Sequence, residues 1–325
     1  MNTKPEKKIL WMDQNDFSIF MKRYGIGVIM LAMIVLLAIV SPTFRTSGNI
    51  ISILLQISIN GILAFGMVFV ITSGCVDLSI GSMLALTSVI VGTMLNATGN
   101  ILLSCLVAVA VTTLFGFING ALIAGFDMFP FVVTLATQLV IRGVAYILSG
   151  GYSASLANQE FKEIGGGKLF DVIPYPVIIL LIVAVIAYII MHHTTFGRYV
   201  YAVGGNPNTA RASGISVFWT ITGAYIISGV CSGIAGAIMT SRISAAQPNI
   251  GVGYETDAIA ACVIGGTSFN GGIATIPGTF MGIIIIGLIY NGMNLVGINS
   301  YWQTITKGLL IIAAVMLDKF MNKRK

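Results

Sequence analysis

The chain is poor in charge. Its 325 residues hold 17 Lys and Arg and 11 Asp and Glu, only 9% charged, where soluble globular proteins carry about 25%. It has two histidines, His192 and His193. Adjacent side chains on a helix do not share a face, so they build no catalytic or metal pair. The four cysteines, Cys75, Cys105, Cys231 and Cys262, follow no metal-ligand spacing and read as small buried residues. No Gly-x-x-x-x-Gly-Lys-Ser/Thr loop occurs. The nearest string, Gly165-Gly166-Gly167-Lys168-Leu169, cannot cradle a nucleotide in that way. No catalytic residue, metal or cofactor is expected. No short hydrophobic core leads to a small-residue cleavage site near the N-terminus, so the first apolar run is expected to be an uncleaved anchor.

What the chain has in abundance is apolar length. It is 56% hydrophobic with mean hydropathy +0.95, and runs such as Val28 to Val40 and Val177 to Met191 are uninterrupted. This is an all-α polytopic membrane protein, with room for roughly eight to ten spans and no separate catalytic domain. Apolar runs bounded by Pro, Gly and polar clusters predict helices over 25–41, 50–72, 80–97, 101–125, 129–148, 173–191, 216–240, 256–269, 274–290 and 302–318. About ten spans is the expectation. The eighth is short and Gly-interrupted; if it is broken or re-entrant, eight or nine full crossings remain.

The net charge of +6 is a topology signal, and no nucleic-acid partner is expected. Lys4, Lys7, Lys8, Lys22 and Arg23 precede the first span. Arg198 and Arg211 lie in a central polar loop, and Lys319, Lys323, Arg324 and Lys325 close the chain. Positive loops stay inside, so both termini are expected to be cytoplasmic. The organisation is a cytoplasmic segment 1–24, a transmembrane domain 25–318 with a cytoplasmic loop 192–216, and a basic tail 319–325. The loop 149–172 then faces outside.

The two halves resemble each other weakly. Val76-Asp77-Leu78-Ser79-Ile80-Gly81 is echoed by Thr256-Asp257-Ala258-Ile259, and Gly116, Gly120 and Gly125 share their spacing with Gly278, Gly282 and Gly287. Arg142-Gly143 is echoed by Lys307-Gly308. An inverted repeat is expected. Glycines four apart, such as Gly229 with Gly233, suit close helix packing in lipid. Asp77 and Asp257 are expected to start helices by accepting orphan backbone N–H groups. Polar stripes Ser52, Gln56, Asn60 and Thr134, Gln138, Arg142 are costly in hydrocarbon and should point inward. Whether they line a path or bond neighbouring helices is left open by the residues.

Several ordered strings carry a resemblance. Thr72-Ser73-Gly74-Cys75-Val76-Asp77-Leu78-Ser79-Ile80-Gly81, Phe196-Gly197-Arg198-Tyr199, Ala202-Val203-Gly204-Gly205-Asn206-Pro207, Gly253-Tyr254-Glu255-Thr256-Asp257 and Ser300-Tyr301-Trp302-Gln303 resemble the permease subunits of bacterial ribose/galactose-type ABC sugar importers. The resemblance runs from about residue 25 to the C-terminus. It implies an inner-membrane subunit that carries a monosaccharide, pairs with a second permease copy amid membrane lipid, draws energy from a cytoplasmic ATP-binding subunit, and receives sugar from a periplasmic binding protein. Ala210, Arg211, Gly214 and Ile215 are similar to the segment that couples such permeases to the ATPase, although its usual opening acid is replaced by Asn208 and Thr209. Gln56, Asn60, Thr134 and Gln138 are then the candidate sugar path. The alternative is an ion-coupled secondary sugar transporter, which would place an ionisable group at mid-membrane.

Overall fold

The structure, a computed structural model, describes the backbone of residues 14–322 and the side chains of 25–313, 315 and 316. Lys4, Lys7, Lys8, Lys323, Arg324 and Lys325 lie outside the described residues, as do the side chains of Lys22, Arg23 and Lys319. Every predicted apolar segment holds a helix: α1 Gln14–Val40, α2 Ser47–Thr72, α3 Ile80–Thr98, α4 Ile101–Phe126 and α5 Pro130–Ser149. Further along come α6 Gln159–Gly166, α7 Tyr175–His193, α8 Thr195–Gly205, α9 Pro207–Ala212, α10 Val217–Ile243, α11 Tyr254–Ile264, α12 Ile276–Leu295 and α13 Ser300–Asn322. Among the described residues, seven of them (α2, α3, α4, α5, α7, α10 and α12) are long and apolar enough to cross a membrane.

Local signals set the boundaries. Asn100 accepts the Leu103 N–H at the start of α4, and Ser216 does the same for Trp219 at the start of α10. Pro130 occupies the first turn of α5, where its missing N–H costs nothing. The segment 192–216, read as a loop, is instead two short helices, α8 and α9. At the opposite end, the 149–172 segment folds into α6 and a small hairpin, β2 Lys168–Leu169 on β3 Ile173–Pro174, while β1 Ala154–Ser155 pairs with β4 Ala245–Ala246.

The centre is α2, α3 and α10, with α4, α5 and α7 exposing most of their surface. The four-spaced glycines are packing surfaces. On α4, a side chain at Gly116 would collide with the Tyr225 carbonyl and one at Gly120 with Thr222; on α10, Gly229 and Gly233 receive Thr112 and Val109. Both sets close the same α4–α10 seam. In the second half, Gly278 and Gly282 of α12 receive Gly265 and Ala261 of α11. The halves are interlocked: α10 packs on α3 and α4, while α2 packs on α11 and α12. α5 leans on α3, and α13 on α11.

Helix is interrupted inside the bundle at two places. Past α2, residues 73–79 run without helix from the α8–α9 end into the bundle, until Asp77 meets Ser228. Ser228 lies eleven residues into α10, about 16 Å along its axis or half the apolar thickness of a bilayer. From the other end, 247–253 descends without regular structure past Ser88, whose Oγ accepts the Gln247 N–H, before α11 begins. The two pieces meet at Gly81 and Gly251, where a Cβ on either would collide with the carbonyl oxygen of the other. At eleven residues, about 16 Å, α11 is shorter than the predicted eighth segment.

Gly251 also has φ +79°, so any side chain there is strained twice. Gly251→Ala should cost about 1–2 kcal/mol of backbone strain and a further roughly 1–3 kcal/mol of overpacking. Gly27→Ala, with nothing within 4 Å of its Cβ, should not destabilise. Thermal melting of the purified protein in detergent checks the pair; equal midpoints would mean the junction is not tightly packed.

Candidate functional site

The junction of the two interrupted segments gathers several ionisable groups deep among the helices. Asp77 is fully buried. Its Oδ1 accepts the Ser79 backbone N–H (3.0 Å) and hydroxyl (2.6 Å), and its Oδ2 accepts the Ser228 hydroxyl (2.8 Å). Asn119 donates to Ser79 Oγ (3.0 Å), and Tyr225 donates to the Val76 carbonyl (2.7 Å). Every partner of Asp77 is neutral. It acts at the start of α3 as expected, taking a backbone N–H that no helix turn satisfies.

Asp257 does something else. It lies in the first turn of α11, yet its Oδ1 accepts the Tyr290 hydroxyl (2.7 Å) and its Oδ2 is ion-paired with Lys307 Nζ (2.9 Å). The backbone-capping part expected of it falls to Glu255, whose Oε1 accepts the Gly253 N–H (3.2 Å). Arg142 of α5 reaches the same place and donates through Nη1 to the Pro248 (2.8 Å) and Ile250 (2.7 Å) carbonyls, the bare backbone of the descending segment. It also attracts Glu255. Arg142 and Lys307 therefore each tie an outer helix to the break. Sequence reading missed Glu255 and Tyr290. The signal was present: two acids and two cations in apolar surroundings should find one another.

At the α8–α9 end, Asn206 caps α9 by accepting the Asn208 and Thr209 N–H groups, both at 3.0 Å. Ala210 is buried and Arg211 exposed. Gly214 has φ +80°, which lets the chain turn back so that Ile215 N–H reaches the Ala210 carbonyl (3.0 Å). The four predicted coupling residues thus form one exposed helix and its closing turn. α8 joins this unit to the core. Gly204 fits directly against the Thr72 carbonyl at the end of α2, and the same carbonyl accepts the Gly272 N–H (2.8 Å) from the α11–α12 loop. Tyr201 donates to the Ala274 carbonyl (2.8 Å), and burial pushes its phenol above the ordinary range. A cleft of about 350 Å³ separates α9 from the α4–α5 turn, lined by Ser73, Asp127, Pro130, Asn208, Arg211 and Asn270.

The predicted path residues are not brought together on one surface. Gln56 is half-buried on α2, Asn60 is buried one turn on with its Oδ1 unbonded, and Ser52 of the same stripe is exposed. Thr134 is fully buried and donates to the Pro130 carbonyl (2.9 Å). Gln138 is half-buried on α5, one turn before Arg142. The described residues contain no cluster of three or more potential metal ligands.

Removing one member of the Asp257–Lys307 pair leaves the other uncompensated. Lys307→Met should therefore destabilise by roughly 2–4 kcal/mol, the lower side because Lys307 is 27% exposed. Adding Asp257→Asn should restore most of the loss. Chemical or thermal unfolding of the two variants reads this, and additive losses would mean the groups are not coupled.

A family profile described as branched-chain amino acid transport system / permease component matches residues 49–315. The ribose import permease protein RbsC of Bacillus subtilis is 41% identical over 301 residues, 92% of this chain and 93% of its own. The D-allose transport system permease protein AlsC of Escherichia coli is 38% identical, covering 95% of both chains. The L-arabinose transport system permease protein AraH of Escherichia coli is 35% identical over 93% of this chain and 92% of its own. No solved structure matches. With the profile spanning most of its length and these relatives nearly all of it, the chain belongs to this family of transport-system permease components.

Proposed function

We propose that the chain is the membrane-crossing permease subunit of an ATP-driven importer of a neutral monosaccharide in a bacterial inner membrane. It works as one of two permease copies, with a cytoplasmic ATP-binding subunit below and a periplasmic sugar-binding protein above. In this reading the chain crosses ten times, α11 and the segment before it making one crossing, and α8 and α9 face the cytoplasm. Eleven of the seventeen cations then lie inside, including those of 1–24 and 319–325. Four lie outside (Arg45, Lys162, Lys168, Arg242), and two, Arg142 and Lys307, at mid-depth. That distribution follows the positive-inside rule. α2–α5 and α10–α13 are the two arms of an inverted repeat, since α2 and α10 run in opposite directions and each packs on the other arm.

The helix ends at the junction offer an amino acid's carboxylate no free site. Half-helix N-termini at mid-membrane attract anionic substrate groups, but those of α3 and α11 already carry their own carboxylates, Asp77 and Glu255. No free positive helix end awaits a substrate carboxylate. The relatives named for ribose, allose and arabinose support a sugar substrate.

The path runs along α5 and α13. Both are lightly packed, and both present polar groups at membrane depth on a face open in the single chain: Gln138 and Arg142, Thr304 and Lys307. Polar groups do not face lipid cheaply, so the second copy covers this face and encloses the sugar. Gln138 is on it; Gln56, Asn60 and Thr134 reach the sugar only in an opened state.

The observation that carries coupling to ATP is the backbone junction of Gly204, Thr72 and Gly272. Movement of α9 by the ATPase passes through α8 into the end of α2 and the loop after α11, the anchors of both broken crossings. Arg211→Glu, exposed and without backbone strain, should leave insertion and ATP hydrolysis intact while lowering sugar uptake about tenfold, within the usual range of coupling free energies. Gly214→Glu should do the same with added strain at its positive φ. Reconstituted uptake beside ATPase turnover measures this. Normal uptake by both variants would remove the coupling assignment.

A further inference from the structure

Four of the five charged groups at the junction, Asp77 apart, are arranged in layers. Asp257 and Glu255 are 4% and 8% exposed, so the acids sit behind. Lys307 is 27% exposed and Arg142 half-buried, so the cations stand in front, on the face that α5 and α13 leave open. Lys307 gives one of its three N–H groups to Asp257 and stands over the Tyr290 ring at 4.8 Å. Arg142 uses Nη1 on the two carbonyls.

We propose that Arg142 and Lys307 form a cation-excluding filter at the midpoint of the sugar path. The inference rests on the reading that two copies enclose a path along this face; the dimer then presents two arginines and two lysines around one axis. A conduit wide enough for a hydrated monosaccharide would also pass protons and sodium ions down the membrane potential. Fixed positive groups at a constriction raise an electrostatic barrier against cations and leave a neutral solute unaffected. Because each cation is held by acceptors buried behind it, its charge stays fixed in place rather than withdrawing to an interface. Asp257 is screened from the path by the Lys307 it holds.

The test uses the complete permease–ATPase complex in liposomes under an imposed membrane potential, without sugar, reading proton and sodium leak. The Asp257→Asn/Lys307→Met double variant removes the front charge together with the acid behind it, so no buried charge is stranded; its cation leak should rise, by less than the roughly tenfold expected for loss of one unpaired nearby charge, because the acid goes with the cation. Arg142→Gln should behave alike, and Lys307→Arg should stay as tight as the unaltered chain. Cation leak at the unaltered level in inserted, normally melting variants overturns the filter. If the variants fail to insert, the unaltered complex arrested with ATP and vanadate decides: its residual leak should favour chloride over sodium, and a sodium preference overturns the proposal. ATP-driven sugar uptake by the unaltered complex is measured in parallel. Uptake with unchanged leak sinks the filter alone; absence of uptake with every pentose and hexose delivery protein tried sinks the permease reading beneath it.

Discussion

Backbone that leaves the helix at membrane depth must find partners inside the protein, since lipid supplies none. The two interrupted segments impose that requirement, and much of the rest of the molecule answers it. The Ser79 N–H goes to Asp77, the Val76 carbonyl takes Tyr225, the Gln247 N–H goes to Ser88, the Pro248 and Ile250 carbonyls take Arg142, and the Gly253 N–H goes to Glu255. A chain with so few charges has placed several of them where charge is most costly, and most of these are spoken for by bare backbone. The glycines belong to the same solution. Only at Gly81 and Gly251 can two main chains come close enough to close the gap without a void.

The same construction links the ends of the molecule. α2 finishes where α8 and the α11–α12 loop converge on the Thr72 carbonyl, so the segment carrying Asp77 and the loop that anchors α12 share one point with the α8–α9 unit. At the far end, β1 pairs with β4, and the Ser241 hydroxyl bonds the Phe161 carbonyl, which ties the α6 segment to the head of the descending strand. Each interrupted segment is therefore gripped at its own end of the bundle. No continuous helix carries the chain from Thr72 at the α8–α9 end to Asp77.

Helices were legible because apolar runs and their breakers are local: all ten predicted segments are present, with α11 shorter than expected. The glycine pairs were legible for the same reason, since small residues one turn apart suit close helix packing wherever the partner lies. The division of labour between Glu255 and Asp257 was not. Both sit within the first turn of α11, and only the positions of Tyr290 and Lys307, 33 and 50 residues further along, decide which carboxylate caps and which pairs. Thr134 illustrates another limit. Its place in a polar stripe is set by period, but its hydroxyl bonds back to the Pro130 carbonyl of its own helix, a competing local bond that spacing does not reveal. The segment 192–216 looked like loop because six- and eleven-residue helices carry too few turns for a clear apolar period.

A transporter has to hold two arrangements close in free energy, and the nature of the junction suits that need. An intact helix satisfies its backbone internally and gains nothing by moving. A broken one satisfies it through side chains, and each such bond can be exchanged for another of similar strength as neighbouring helices shift. α5 and α13 are the helices best placed to make that exchange, because each is packed mainly on one neighbour and reaches the break through a single long cation. The flexible stems of Arg142 and Lys307 let the helix axis move while the charged head stays with its acceptor. Thus the side chains that make the interrupted segments stable in one state are also those whose reach permits a second.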